Sequence, residues 1–125
     1  MVLDASAILA MLFDEPGGDF VASRLANSLV SAVNAVEVET KLMDHGIDAG
    51  KSTVIWTTVP IGIQPLEYSV AHQAAILHHR YRTQKVSLAD AVCLATAMYF
   101  SLPVLTADSL WSDLGDLDVE VELIR

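Results

Sequence analysis

The 125-residue sequence contains only one cysteine, Cys93, so it cannot form an internal disulfide, and we expect it to work in a reducing compartment. No run of about 18 uncharged apolar residues occurs, which excludes a membrane-spanning helix although 53% of the residues are hydrophobic. The first residues carry no basic segment, so no signal peptide is expected. Repeats and low-complexity stretches are also missing. These absences predict a single cytoplasmic domain over residues 1–125 with no membrane partner.

Basic residues are scarce as well. Seven lysines and arginines face sixteen acids, which gives a formal net charge of −9 and an isoelectric point near 4.6. This balance argues against a protein that binds nucleic acid through a generally positive surface. An acidic protein can still act on phosphates if some of its carboxylates hold a divalent cation, because the cation reverses the local field. The positions of the acids therefore decide which functions are open.

Apolar residues and helix breakers predict strands that alternate with helices along the chain. Predicted strands cover residues 1–3, 29–32, 61–65, 103–105 and 119–124, the last as an edge strand with one wet face. Predicted helices cover residues 5–13, 19–27, 69–82, the segment from an Asn34/Glu37 capping box to His45, and residues 87–101, which begin with a similar Ser87/Asp90 box. A further helix is expected within 48–59, where β-branched residues are frequent but no turn residue follows Lys51. This order predicts an α/β fold, a three-layer α/β/α sandwich on a mainly parallel, short-stranded sheet.

Four acids occupy equivalent places in this predicted order. Asp4 and Asp108 each follow a short apolar strand, and Glu37 and Asp90 each lie in the first turn of a helix. In a parallel sheet these places lie along the same edge. Two carboxylates about 4 Å apart repel by on the order of 4 kcal/mol at an effective dielectric near 20, so such a group needs a proton or a cation. Mg²⁺ or Mn²⁺ is the expected cation because both prefer oxygen ligands.

Each acid also has an ordinary structural explanation. Acids in a first helical turn are stabilised by the helix dipole and by capping, so Asp4 and Asp108 could cap the segments that follow them. Glu37 could form a surface ion pair with Lys41, four residues further along the helix. Capping does not explain why all four acids fall at one edge, and this coincidence favours a metal site.

Four segments, taken in order, resemble the PIN-domain ribonucleases, and within them the compact VapC-type toxins of type II toxin–antitoxin pairs. The segments are 2–7 (VLDASA), 31–37 (SAVNAVE), 87–91 (SLADA) and 105–108 (LTAD). The resemblance implies a PIN-like fold and a Mg²⁺- or Mn²⁺-dependent endoribonuclease that cleaves RNA.

The same resemblance implies roles for individual residues. Asp4, Glu37, Asp90 and Asp108 would form the catalytic acidic pocket, and Asp4, Asp90 and Asp108 would bind the metal. Ser6 would support Asp4 by a hydrogen bond, and Thr106 would orient its loop. Family members also imply a homodimer and a cognate antitoxin protein as partner. Asp113 and Asp116 lie close enough in sequence to Asp108 to assist or replace it.

A cluster of basic residues precedes the Ser87 motif. Arg80, Arg82 and Lys85 are three of the seven basic residues, and we interpret them as contacts to the RNA backbone, with Tyr81 available to stack on a base. The alternative is the solvated C-terminal turn of a helix, where basic residues complement the dipole.

Two other functions remain open at this point. Asp4 could be the nucleophile of a phosphatase or phosphotransferase, although Ser6 stands where phosphatases of the haloacid dehalogenase type have a second aspartate. Alternatively, the chain could be a PIN-fold binding module without catalysis. Cys93 is expected to be a small buried hydrophobic residue rather than a nucleophile.

Overall fold

In the computed structural model, which describes residues 1–125, five short strands form one sheet. The strands are β1 (Val2–Leu3), β2 (Ser28–Ser31), β3 (Ile61–Gln64), β4 (Val104–Thr106) and β5 (Val121–Leu123). Their order across the sheet is β3-β2-β1-β4-β5, and every neighbouring pair is parallel. All five strands therefore end at the same edge of the sheet, and the predicted α/β fold is confirmed.

Seven α-helices and one 3₁₀-helix connect the strands. The α-helices are α1 (Ala5–Leu12), α2 (Gly18–Ser23), α3 (Ala32–Asp44), α4 (Ala49–Ser52), α5 (Ile55–Thr58), α6 (Tyr68–Arg80) and α7 (Leu88–Phe100). The 3₁₀-helix, Ser109–Asp113, follows β4. None of these helices has the length and apolar character that crossing a membrane requires.

The core lies on both faces of the sheet. Successive side chains of a strand point to opposite faces. Val2 and Val104 accordingly pack with α6 and α7, whereas Leu3 and Leu105 pack with α1 and α3. Both clusters are almost completely shielded from water, which gives the three layers that the sequence predicts.

Residues 48–59 are helical, as expected, but they form two separate four-residue helices, α4 and α5. Two bonds to α3 fix this segment: the Ser52 hydroxyl and the Trp56 indole N–H both donate to the carboxylate of Glu39, at 2.8 and 3.2 Å. The break between the helices falls at Thr53 and Val54. Tertiary contacts to α3 thus hold a segment whose local composition favours a strand.

One predicted capping box is wrong and one is confirmed. Helix α3 begins at Ala32, and its N-cap is Ser31, whose hydroxyl accepts the Asn34 backbone N–H at 2.9 Å. Asn34 therefore lies inside the helix, and Glu37, which was predicted in the first turn, lies in the second. At α7, in contrast, the Ser87 hydroxyl accepts the Asp90 N–H at 3.1 Å while the Asp90 carboxylate accepts the Ser87 N–H at 3.0 Å. Strand β5 is an edge strand, as predicted, paired only with β4.

We predict that Gly18→Ala destabilises the fold. A Cβ at this position would lie 2.6 Å from the backbone oxygen of Ala10, so α1 and α2 would have to move apart. Overpacking of this kind costs about 1–3 kcal/mol, measurable as a lower urea midpoint. Gly115→Ala is the matched control because nothing lies within 4 Å of its Cβ position. Equal midpoints for the two variants would contradict the close packing of α1 on α2.

Candidate active site

Asp4 immediately follows β1 and is almost completely buried, with 4% of its surface exposed. It precedes α1, but its side chain makes no capping hydrogen bond, so the capping explanation is wrong for this residue. Its Oδ2 atom instead accepts the hydroxyls of Ser6 at 2.5 Å and Thr106 at 2.8 Å. Burial raises the pKa of Asp4, and the two hydroxyl bonds oppose this only in part. The polypeptide therefore holds a carboxylate where ionisation is unfavourable.

The same two hydroxyls position the loop after β4. Thr106 Oγ1 accepts the backbone N–H of Asp108, and Ser6 Oγ accepts the backbone N–H of Ala107, both at 3.0 Å. The Asp108 carboxylate also accepts the N–H of Leu110 at 3.0 Å. This acid therefore caps the 3₁₀-helix, which agrees with the capping role considered for it from the sequence. Ser6 and Thr106 thus join the ends of β1 and β4 through hydrogen bonds that converge on Asp4.

Glu37 is oriented by the completely buried amide of Asn34, the residue that was predicted to cap α3. The Asn34 carboxamide nitrogen donates to Glu37 Oε2 at 3.1 Å and to the Ala89 carbonyl of α7 at 3.4 Å. The Asn34 side-chain oxygen accepts the hydroxyl of Ser31. Asn34 therefore links the start of α3 to the first turn of α7, where Asp90 lies. The Ser-x-x-Asn spacing, itself that of a cap, is the sequence feature that could have revealed this.

The four acids line one cleft at the carboxyl edge of the sheet, with a volume of about 220 Å³. Its lining residues are Asp4, Ala5, Ser6, Leu9, Glu37, Lys41, Asp90 and Asp108. Burial is the main cause that raises the pKa of Glu37 and of Asp90, and the other acids of the cleft raise both further. No three acidic side chains come close enough together to coordinate one ion directly. The structure thus gathers the acids around a shared space without building a closed coordination shell.

Lys41 is the one basic residue among those that line the cleft. The expected ion pair between Lys41 and Glu37 is absent, because the two ion pairs of the molecule are Arg24–Glu122 and Arg125–Glu15. Lys41 still lowers the pKa of Glu37 through space, although less than burial raises it. The acids of the cleft therefore have no cation in direct contact.

The other predicted site residues lie outside the cleft. Arg80, Arg82 and Lys85 are exposed in the segment that runs from the end of α6 to Ser87. The expectation that Tyr81 stacks on a base is wrong, because Tyr81 is 2% exposed and its hydroxyl donates to the Gly115 carbonyl.

Asp113 and Asp116 are exposed and do not line the cleft. Cys93 is completely buried, as expected, and burial raises the pKa of its thiol well above the usual value. None of these three side chains takes part in the arrangement around Asp4.

The chain matches the family model described as PIN domain over residues 1–117, and it belongs to that family. Among solved structures, it is similar to a chain of a toxin–antitoxin complex from Klebsiella pneumoniae, with a TM-score of 0.78, 15% identity, and 99% of this chain and 97% of that chain covered. It is also similar to VapC20 of Mycobacterium tuberculosis, described as a Sarcin-Ricin loop cleaving toxin, with a TM-score of 0.73, 18% identity, and coverage of 95% and 98%. A third similar structure is FitAcB from Neisseria gonorrhoeae, with a TM-score of 0.70, 23% identity, and coverage of 96% and 94%. No curated protein sequence matches the chain.

We predict that Asp4→Asn stabilises the metal-free protein at neutral pH. The folded-state pKa of Asp4 lies above its ordinary value of 3.8. At pH values between the two, the folded protein therefore keeps a proton on Asp4 that the unfolded chain has already released. The free energy of unfolding contributed by this group therefore falls as pH rises from that value through the folded-state pKa. Asparagine removes this loss and still offers an oxygen to Ser6 and Thr106.

The measurement is urea unfolding of both proteins in EDTA from acid to neutral pH. The stability difference between the variant and the wild type should grow in favour of the variant as pH rises. Asp113→Asn removes the same charge at an exposed position and serves as the control. A difference that stays constant with pH would show that burial of Asp4 does not disfavour its charged form.

Proposed function

We propose that this PIN-domain protein is a metal-dependent endoribonuclease that hydrolyses RNA phosphodiester bonds and serves as the toxin of a toxin–antitoxin pair. The observation that carries the proposal is the meeting of four acids, supplied by four separate parts of the chain, at one cleft. The catalytic acids of the proposal are Asp4, Glu37, Asp90 and Asp108. Residues 1–125 act as one domain in this proposal.

The cleft suits Mg²⁺ or Mn²⁺. Its polar lining offers oxygen ligands without histidine or cysteine, and the buried Asp4 has no cationic partner. Mg²⁺ keeps several of its waters and is commonly held through one or two carboxylates, so it does not need three acids in direct contact. Asp4, Asp90 and Asp108 would hold it, in part through its bound waters. When bound, such an ion would supply polarisation of a phosphoryl oxygen and a more acidic water.

The residues of the chain itself supply orientation and proton transfer. Ser6 and Thr106 fix the Asp4 carboxylate, and the Asn34 amide fixes Glu37. Because burial raises the pKa of Glu37, this carboxylate is a better proton acceptor for the attacking water than an exposed glutamate.

Arg80, Arg82 and Lys85 would contact the RNA backbone outside the cleft. They are exposed, and their segment leads directly into Ser87, whose N–H is bonded to the Asp90 carboxylate. Arginine and lysine at such positions bind phosphate and position the nucleic acid without reading its bases.

The proposed partners are an antitoxin protein and a second copy of the chain. Structures of similar fold are described as toxin–antitoxin complexes, which supports the first of these.

Ser6 donates a hydrogen bond to Asp4 at 2.5 Å, so the position that would hold the acid of a dehalogenase-type phosphatase has a different task here. Isolation of a phospho-aspartate at Asp4 would instead support the phosphotransferase function.

We predict that Asp4→Asn and Asp90→Asn each reduce cleavage of a fluorescently labelled RNA in Mg²⁺ or Mn²⁺ by at least about 100-fold, the range typical of a lost acid–base or ligand group. Both variants keep the hydrogen-bond acceptors that the carboxylates provide, so circular dichroism should show an unchanged fold. Asp113→Asn should cleave at the wild-type rate. Full activity of both cleft variants would overturn the ribonuclease proposal, and failure of the wild type to bind Mn²⁺ in calorimetry would favour a binding module.

We also predict that expression of the wild-type chain arrests growth and that co-expression of the small protein encoded beside it relieves the arrest. Asp4→Asn should permit growth without the neighbour, because the toxicity depends on the cleft. Colony counts with and without induction measure both effects. Arrest by Asp4→Asn equal to that by the wild type would separate toxicity from the acidic site.

A further inference from the structure

Lys41 has a position that none of the other basic residues shares. It lies one helical turn after Glu37 on α3, is exposed, and lines the cleft together with the four acids. The remaining basic residues lie in two ion pairs with Glu122 and Glu15, on α4, or in the segment from the end of α6 to Ser87. Lys41 therefore supplies the single positive charge of a cleft whose other charged lining residues are four carboxylates.

Lys41 does not form the ion pair with Glu37 that its place on the helix suggests. A glutamate followed four residues later by a lysine forms a surface ion pair in many helices. Here no carboxylate lies within 4.0 Å of the Lys41 ammonium, although its charge is felt by Glu37. The ammonium thus remains free to bind a group that enters the cleft.

An RNA backbone that enters this cleft meets an unfavourable field. Its phosphates are negative and so are Asp4, Glu37, Asp90 and Asp108, and a divalent cation offsets only part of this charge. A lysine at the wall of the cleft supplies the missing positive group, since an ammonium is a compact point charge that binds phosphate.

We propose that Lys41 binds a phosphate of the RNA backbone adjacent to the one that is cleaved. This inference rests on the proposed ribonuclease function and adds a substrate contact to it. Helix α3 then forms one side of the RNA path, and the segment that carries Lys85 leads to the other side, at the start of α7. The Asn34–Ala89 hydrogen bond joins the first turns of α3 and α7 and so fixes the spacing of the two sides.

The test measures binding of a short fluorescein-labelled single-stranded RNA by anisotropy, in Ca²⁺ and over a range of salt concentrations, with a gel to show that the RNA stays intact. Lys41→Gln should weaken binding about tenfold, as expected for one charge-assisted hydrogen bond. It should also reduce the slope of log affinity against log salt by about 0.7, the value for one phosphate contact on a single strand. Lys41→Arg should restore both quantities.

Lys51→Gln is the matched control, because Lys51 is an exposed lysine on α4 outside the cleft and its loss should leave affinity and slope unchanged. Circular dichroism and thermal melts of all variants check the fold. If Lys41 only neutralises the acids, Lys41→Gln will bind Mn²⁺ more tightly in calorimetry and keep the wild-type RNA affinity and salt slope. That result would overturn the inference.

The same experiment separates this inference from the function on which it rests. A wild-type protein that cleaves RNA in Mg²⁺ or Mn²⁺, together with a Lys41→Gln variant of unchanged affinity and slope, would remove the Lys41 contact and leave the ribonuclease. A wild-type protein that neither binds nor cleaves RNA would remove both.

Discussion

The buried carboxylate of Asp4 is the constraint on which the rest of the site depends. Removing a charge from water costs several kcal/mol unless a partner compensates it, and this carboxylate has two hydroxyls but no cation. The parallel sheet makes the position unavoidable, because β1 ends there between β2 and β4. Further acids from α3, α7 and the loop after β4 raise the cost. The fold therefore places several carboxylates at one edge of the sheet, where burial and mutual repulsion disfavour their charged forms. A cation bound at this edge would relieve both effects.

Hydrogen bonds of neutral groups keep the acids in place. Two hydroxyls, from Ser6 and Thr106, bind Asp4 and the loop of Asp108, and one amide, from Asn34, binds Glu37 and α7. These groups are themselves buried or half-buried, so their bonds are shielded from competing water. A site held by neutral donors keeps its negative charge available, whereas a site held by arginines would have neutralised it.

The sequence predicts most of the fold because strand ends and helix starts carry local patterns, and the parallel-sheet rule alone places Asp4 and Asp108 at one edge. It fails where a distant residue decides. Asn34 fits a helix cap as well as Ser31 does, but its side chain instead bonds to Glu37 and to the Ala89 carbonyl far along the chain. Tyr81 looks available for stacking, yet its hydroxyl reaches Gly115. One helix is expected within residues 48–59, but the segment forms two short helices, and both are hydrogen-bonded to Glu39 on α3.

The strand order determines when the cleft can be completed during synthesis of the chain. Because β4 pairs directly with β1, residues about 100 positions apart in sequence lie side by side at the cleft. A ribosome that has reached residue 100 has produced Asp4, Glu37 and Asp90 but neither the Thr106 hydroxyl nor Asp108. A nascent or truncated chain that stops there thus lacks a finished cleft, and any chemistry performed there begins only after β4 and Asp108 have been made.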